Sequence, residues 1–225
     1  MDVPEAQNAE QMRREFSANV SHELKTPLQG IIGSAELLES GMVKPEDTSR
    51  FVGHIRKEAS RLVNLIEDII RLSQLDEGVE LPKENVDLLA LAEDVKAILE
   101  TSAVEKQVTI HVTGAGFSVV GVRRMLQKII YNLCDNAIKY NVPGGSVTIC
   151  AENNRLVVSD TGIGIPAEHK DRIFERFYRV DKSHSKASGG TGLGLSIVKH
   201  AVAYHKAEIH LESTPGKGTT ITIQF

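Results

Sequence analysis

The chain has 225 residues, 41% hydrophobic and 25% charged, which is ordinary for a globular protein and unlike a fibrous or disordered one. A net charge of -4 argues against nucleic-acid binding, and no eighteen-residue apolar run or signal peptide is present to cross or contact a membrane, although a longer parent with an anchor elsewhere is compatible. Aromatics are 4% with no Trp, so the core must be aliphatic, and Cys134 and Cys150 in apolar surroundings suit a reducing cytoplasm rather than a disulfide framework.

Residues from about 5 to 77 read as two long helices. Leu24, Leu28, Ile31, Ala35 and Leu38 are spaced 4-3-4-3, and Ile55, Ala59, Leu62, Ile66 and Ile69 repeat the pattern. That alternation is the seam of a left-handed bundle. Between them, Gly41-Met-Val-Lys-Pro45-Glu-Asp-Thr stops one helix and restarts the next. A hairpin with two such stripes cannot bury both alone, so the expectation is a homodimeric four-helix bundle; the plainer alternative packs the hairpin on its own C-terminal domain.

The polar stretch Glu80-Leu-Pro82-Lys-Glu-Asn85 reads as a linker, after which the pattern turns mixed. Helices are expected over Leu88 to Ala103, Arg123 to Tyr140 and Ser196 to Tyr204. Strands are expected over Gln107 to Val112, Ser118 to Val120, Ser146 to Ala151, Arg155 to Ser159, Glu208 to Glu212 and Thr219 to Phe225. Glu152-Asn-Asn154 suits a tight turn, since Asn tolerates the left-handed backbone. The fold class is therefore multi-domain: an all-α helical hairpin over 1–79, a linker over 80–85, and an α+β two-layer sandwich over 86–225.

If Leu24, Ile31 and Leu38 occupy heptad position d, His22 falls on the solvent side. An exposed histidine is usually inconsequential, but Glu23 follows it and Thr26 shares its helix face. Pro27 should loosen the helix one turn later. A neutral imidazole is a competent nucleophile toward phosphorus. Glu23 can orient the ring and take its proton, and Thr26 can place a water for the reverse hydrolysis. Phe16-Ser-Ala-Asn-Val-Ser-His22-Glu-Leu-Lys-Thr26-Pro27-Leu resembles the phospho-acceptor motif of two-component sensor histidine kinases.

Three further stretches resemble that family's ATP-binding domain, which is shared with the gyrase, Hsp90 and MutL ATPases. Asn132-Leu-Cys-Asp-Asn136-Ala-Ile-Lys139-Tyr140 sets two amides four apart on one helix face. By the resemblance, Asn136 offers an oxygen to Mg2+, while Asn132, Lys139 and Tyr140 approach ATP. Asp160-Thr-Gly162-Ile-Gly164 follows an apolar strand. There the resemblance gives Asp160 the adenine amine, beside glycines that let the base approach the backbone. Gly190-Thr191-Gly192-Leu193-Gly194-Leu195 opens a helix, and glycine-rich backbone at a helix start offers N–H groups to phosphates. It is neither a Walker A loop nor a Rossmann fingerprint, and Gly216-Lys-Gly-Thr219 reads as a hairpin turn.

Between these, Phe174 and Phe177 resemble the family's phenylalanine motif, and Arg179 and Lys182 are expected to face the polyphosphate. The small polar residues after Lys182 look like a mobile lid. Val119-Val-Gly-Val-Arg123 lacks the acidic residue that family members often carry before the arginine. The remaining histidines, from His54 to His210, show no metal-ligand spacing.

The resemblance implies a protein-histidine kinase that phosphorylates His22 from ATP and passes the group to an aspartate of a response regulator, with phosphatase activity toward that regulator. An ATP-driven clamp and a non-catalytic interaction module are the competing classes. The ATPase relatives carry a glutamate where this chain has Asn132, which cannot act as a base; that favours the kinase over the clamp. The presence of the chemical residues disfavours the inert module.

Overall fold

The computed structural model describes residues 3–76, 81–180 and 191–225. The chain divides into two compact units, Met1–Arg71 and Leu72–Phe225.

The first unit is a hairpin of α1 (Val3–Glu39) and α2 (Thr48–Asp76). Gly41, at φ +69°, takes the left-handed backbone that ends α1, and Pro45 opens a single 3-10 turn before α2. α1 continues through Pro27, where loosening was expected. Pro27 has no N–H for the Glu23 carbonyl; one residue earlier the Thr26 hydroxyl donates to the His22 carbonyl at 3.2 Å, reinforcing the turn beside the gap.

Packing within the hairpin differs from the expected seam. The buried positions are Pro27 and Ser34 on α1 and Leu65 and Asp68 on α2, while Leu28 and Ile66 of the expected stripe are 47% and 41% exposed. Ile32, Val63 and Ile70 are exposed with them. Two helices make one seam, so each apolar stripe buries one edge and leaves the other open.

The first strand of the second unit is β1 (Glu84–Asp87), which includes residues the sequence had suggested as linker. β1 pairs antiparallel with β3 (Ser118–Gly121) as a separate two-stranded sheet. Its last residue, Asp87, also caps α3 (Leu88–Glu105), accepting from the N–H groups of Leu89 and Ala90. β2 (Thr109–Thr113), β4 (Ser146–Glu152), β5 (Arg155–Asp160), β6 (Glu208–Thr214) and β7 (Gly218–Gln224) form one sheet in the order β2-β4-β5-β7-β6. Its β2–β4 pair is parallel and the others are antiparallel. Asn153 and Asn154, at φ 52° and 57°, make the β4–β5 turn in the left-handed backbone that their residue type tolerates.

α4 (Arg123–Lys139) and α5 (Gly194–Tyr204) cover the sheet with α3. Leu126, Ile129, Ile130, Leu133, Ala137 and Ile138 put the apolar face of α4 on buried Ile149, Leu156 and Val158 of the sheet. The core is aliphatic, as the composition required. Cys134 lies within it, and burial pushes its thiol up to about 12, so it is inert.

His205, just after α5, joins this layer to the β3–α4 corner. Val122 donates its N–H to Nε2 at 3.1 Å, so the ring proton sits on Nδ1, 2.7 Å from the Ala201 carbonyl. Burial holds its pKa below the ordinary 6.5, helped by nearby Lys83, with the Ala201 contact opposing. The unfolded chain therefore takes up this proton first, and the unit loses stability as pH falls below about 6.5. Melting followed from about pH 7.5 to about pH 5.5 will show this loss, and His205→Gln will flatten it.

Candidate functional site

Asp160 ends β5, where the strand delivers its side chain to the rim of the sheet. One carboxylate oxygen, Oδ1, accepts from the N–H of Gly162 at 2.7 Å and of Thr219 at 3.2 Å. Among the described residues nothing donates to Oδ2. Burial raises the carboxyl above its ordinary value, and the two backbone donors oppose that shift. Gly162 has to be glycine, because a Cβ there would lie 2.3 Å from the Tyr140 carbonyl oxygen. Thr161 accepts from the Ser146 N–H at 2.9 Å and donates to Asn141 Oδ1 at 3.1 Å, pinning this turn to β4 and to the end of α4.

Asn132 is buried and its Nδ2 donates to the Gly194 carbonyl at 3.1 Å, docking the first residue of α5 on α4. The orientation of the amide follows from that acceptor, and it turns the remaining oxygen into an acceptor or metal ligand. Asn136, one turn on, is half-buried on the same face. The described residues hold no cluster of three or more His, Cys, Asp or Glu. Amide oxygens completed by phosphates fit a hard divalent cation such as Mg2+, which uses few protein ligands. Lys139 is tied to Asp135 in a 2.6 Å ion pair, and Tyr140 is exposed at the helix end with its carbonyl taking the Ile163 N–H.

The phosphate side is built around Gly192, at φ +73°, whose carbonyl accepts from the Phe177 N–H at 2.9 Å. A Cβ on Gly192 would lie 2.8 Å from the Phe177 Cα. Phe177 is itself left-handed at φ 62°, a costly conformation for an aromatic residue. Thr191 Oγ1 accepts from the Leu193 N–H at 3.3 Å, and buried Leu193 and half-buried Leu195 anchor the start of α5. The structure thus brings Asn132 to Gly194, Asp160 to Gly162, and Phe177 to Gly192. Arg179 is half-buried; Lys182, Gly190 and the proposed lid lie outside the described residues.

Sequence reasoning passed over the braces of the loop before the lid. His169 Nδ1 is 2.6 Å from the Tyr178 hydroxyl, Arg172 stacks 4.3 Å over the Tyr178 ring, and Arg176 donates to His200 Nε2 on α5 at 3.2 Å. A search for metal-ligand spacing among histidines is blind to these contacts. Arg123 lies on the surface, paired with Asp94 at 3.0 Å.

In the hairpin, His22 is exposed, as its heptad position required. Among the described residues no hydrogen bond joins its ring to Glu23, whose Oε2 lies 3.6 Å from Arg61 on α2.

The Asp160 geometry separates recognition from folding. Asp160→Asn keeps an oxygen for Gly162 and Thr219 but turns an N–H toward the ligand, so ATP affinity by calorimetry will fall at least about tenfold with little change in melting. Asp160→Ala will lose affinity and about 1–3 kcal/mol of stability, because both N–H groups lose their acceptor.

Two family models match the chain. Residues 12–78 match the His Kinase A (phospho-acceptor) domain, and residues 121–225 match the histidine kinase-, DNA gyrase B-, and HSP90-like ATPase. The sensor-like histidine kinase SenX3 of Mycolicibacterium smegmatis is 40% identical over 230 residues, covering 100% of this chain and 60% of that protein. The histidine kinase AdeS of Acinetobacter baumannii superposes with a TM-score of 0.73 at 26% identity, over 90% of this chain and 97% of that one. The histidine kinase ThkA, solved in complex with the response regulator protein TrrA, shares the fold at a TM-score of 0.72 and 22% identity, over 99% and 66% of the two chains. The chain spans about half the length of the curated relatives it matches. It belongs to the sensor histidine kinases and carries both their phospho-acceptor domain and their ATP-binding domain.

Proposed function

We propose that this segment is the catalytic core of a cytoplasmic sensor kinase, in which the hairpin of residues 1–79 is phosphorylated on His22 by ATP bound within residues 86–225. The observation that carries this reading is the water-exposed His22 on a hairpin that precedes a separate unit in which Asp160 keeps Oδ2 open at a strand end and Asn132 seats the glycine-rich start of α5. A ring nitrogen of His22 attacks the γ-phosphorus, the bond from phosphorus to the bridging oxygen breaks, and ADP leaves. The proton on the ring passes to Glu23. Positioning and charge neutralisation supply most of the acceleration in such transfers.

Asp160 accepts the adenine amine on Oδ2, beside a turn that Gly162 and Gly164 let pack against the Tyr140 and Thr214 carbonyls. Asn132 holds the start of α5, so that the glycine-rich backbone of Thr191 to Leu195, apart from the Leu193 N–H that Thr191 takes, faces the phosphates. Asn136 and the phosphates hold Mg2+, which supplies positive charge to the phosphate oxygens. Lys139, Tyr140, Phe177, Arg179, Lys182 and Gly190 complete the nucleotide contacts.

The outward stripe of Leu28, Ile32, Val63, Ile66 and Ile70 supports pairing of two hairpins into a four-helix bundle. The phosphorylated imidazole then passes its phosphoryl group to an aspartate of a response regulator that docks beside it, a reading supported by the regulator bound to ThkA. Among the described residues no helix is long and apolar enough to cross a membrane.

Incubation with γ-labelled ATP and Mg2+ will label the protein at a site stable to base and lost in acid. His22→Gln will abolish the label, and label that persists there overturns the assignment. Thr26→Ala removes the hydroxyl proposed to place the hydrolytic water. It will keep autophosphorylation and slow dephosphorylation of the regulator by about tenfold or more.

A further inference from the structure

Glu23 has a partner that the transfer chemistry leaves unexplained. Its Oε2 faces the guanidinium of Arg61, 3.6 Å away on α2, and the other arm of Arg61 reaches Glu58 Oε2 at 3.9 Å. These are not loose surface charges. The side chains of Glu23, Arg61 and Glu58 are 21%, 15% and 17% exposed. The polar line continues along the groove between the helices: Glu58 Oε1 lies 3.9 Å from His54 Nε2, and His54 Nδ1 is 3.1 Å from the hydroxyl of buried Ser34 on α1. An arginine held by two carboxylates in a half-dry groove has little freedom to leave, and solvent screens it less than an exposed pair.

We propose that Arg61 is the positioning residue for the proton acceptor of His22: anchored on Glu58, it grips one oxygen of Glu23 and leaves the other directed to the ring.

The inference rests on His22 as acceptor and Glu23 as base. Neighbouring residues of a helix diverge by about 100°, so Glu23 does not meet His22 by sequence adjacency alone. Its side chain turns about three single bonds, and an untethered carboxylate spends most of its time away from the ring. Arg61 removes that freedom through Oε2, while no described residue donates to Oε1. Glu58 matters for the same arrangement, since its charge shares the guanidinium and keeps Glu23 from being locked into a full two-point pair. A base oriented by a third group is the general logic of activated nucleophiles.

The test is a cycle of variants in the full chain, read as autophosphorylation rate at saturating ATP and as KM for ATP. Arg61→Met keeps the apolar stem that packs in the groove. It will slow the rate about tenfold, a part of what general-base catalysis contributes, with KM unchanged. Arg61→Lys, which keeps the charge, will recover part of the loss. In Glu23→Gln the further change Arg61→Met will cost nothing more, because the group it positions is gone. A normal rate in Arg61→Met overturns the inference, as does a loss that adds in full to that of Glu23→Gln, or a change confined to KM. Label that survives in His22→Gln overturns the acceptor reading instead, so the two failures are distinguishable.

Discussion

The rim of the nucleotide unit is set by the sharing of a single carboxylate. Asp160 Oδ1 takes N–H groups from the turn that follows β5 and from the start of β7, adding to the tie that the Gly216 N–H makes to the Ile163 carbonyl at 2.8 Å. Because both donors fall on one oxygen, the other stays available, so the contact proposed for it would leave the structural work of the group untouched. Together the two bonds are worth about 1–3 kcal/mol to the fold, and they hold a turn whose glycines pack directly against backbone. The close approach of Gly162 to the Tyr140 carbonyl follows from the same geometry, and it brings the end of α4 to the rim.

The hairpin answers a different constraint. Its inner seam is partly polar, with Arg61, Glu58, Ser34 and Asp68 among the least exposed groups, while aliphatic side chains face out on the other edge. In an isolated hairpin this pattern inverts the usual preference. It is consistent if the outer edge becomes the interior of a larger bundle and the polar seam lies near its margin, beside the histidine. The charges are then placed where chemistry uses them, and the apolar stripe where burial rewards it.

Much of this was legible because local signals and tertiary outcome agree. The paired asparagines at 153 and 154, Gly41, Pro45 and the apolar face of α4 each produced the element their chemistry suggests. β1 was missed because Glu-Asn-Val-Asp carries no strand pattern; it is a strand only because β3 supplies a partner and Asp87 must reach the cap of α3. Of the expected hairpin stripe, Leu28 and Ile66 stay exposed while the rest are half-buried, because a 4-3 repeat specifies a stripe wide enough for two neighbours and the hairpin supplies one. In the site, Asp160, Asn132 and the glycines were singled out by their resemblance to family motifs. Arg61, Asp135 and Tyr178 were not, since each gains meaning from a contact across elements or along a helix face that sequence order conceals.

The choice between kinase and hydrolase comes down to what Asn132 can donate. In this fold the side chain at 132 is buried and its N–H points at the Gly194 carbonyl oxygen, so the position is committed to a donor. A carboxylate there would set a second acceptor against that carbonyl and lose the bond that seats α5. The amide therefore does two things at once. It fixes the start of α5, and on the proposed function it also withholds the base that a water molecule would need to attack the γ-phosphorus. On the proposed function, a nucleotide beside such a position meets no base to activate water, and the exposed imidazole of His22 is the nucleophile left to accept the phosphoryl group.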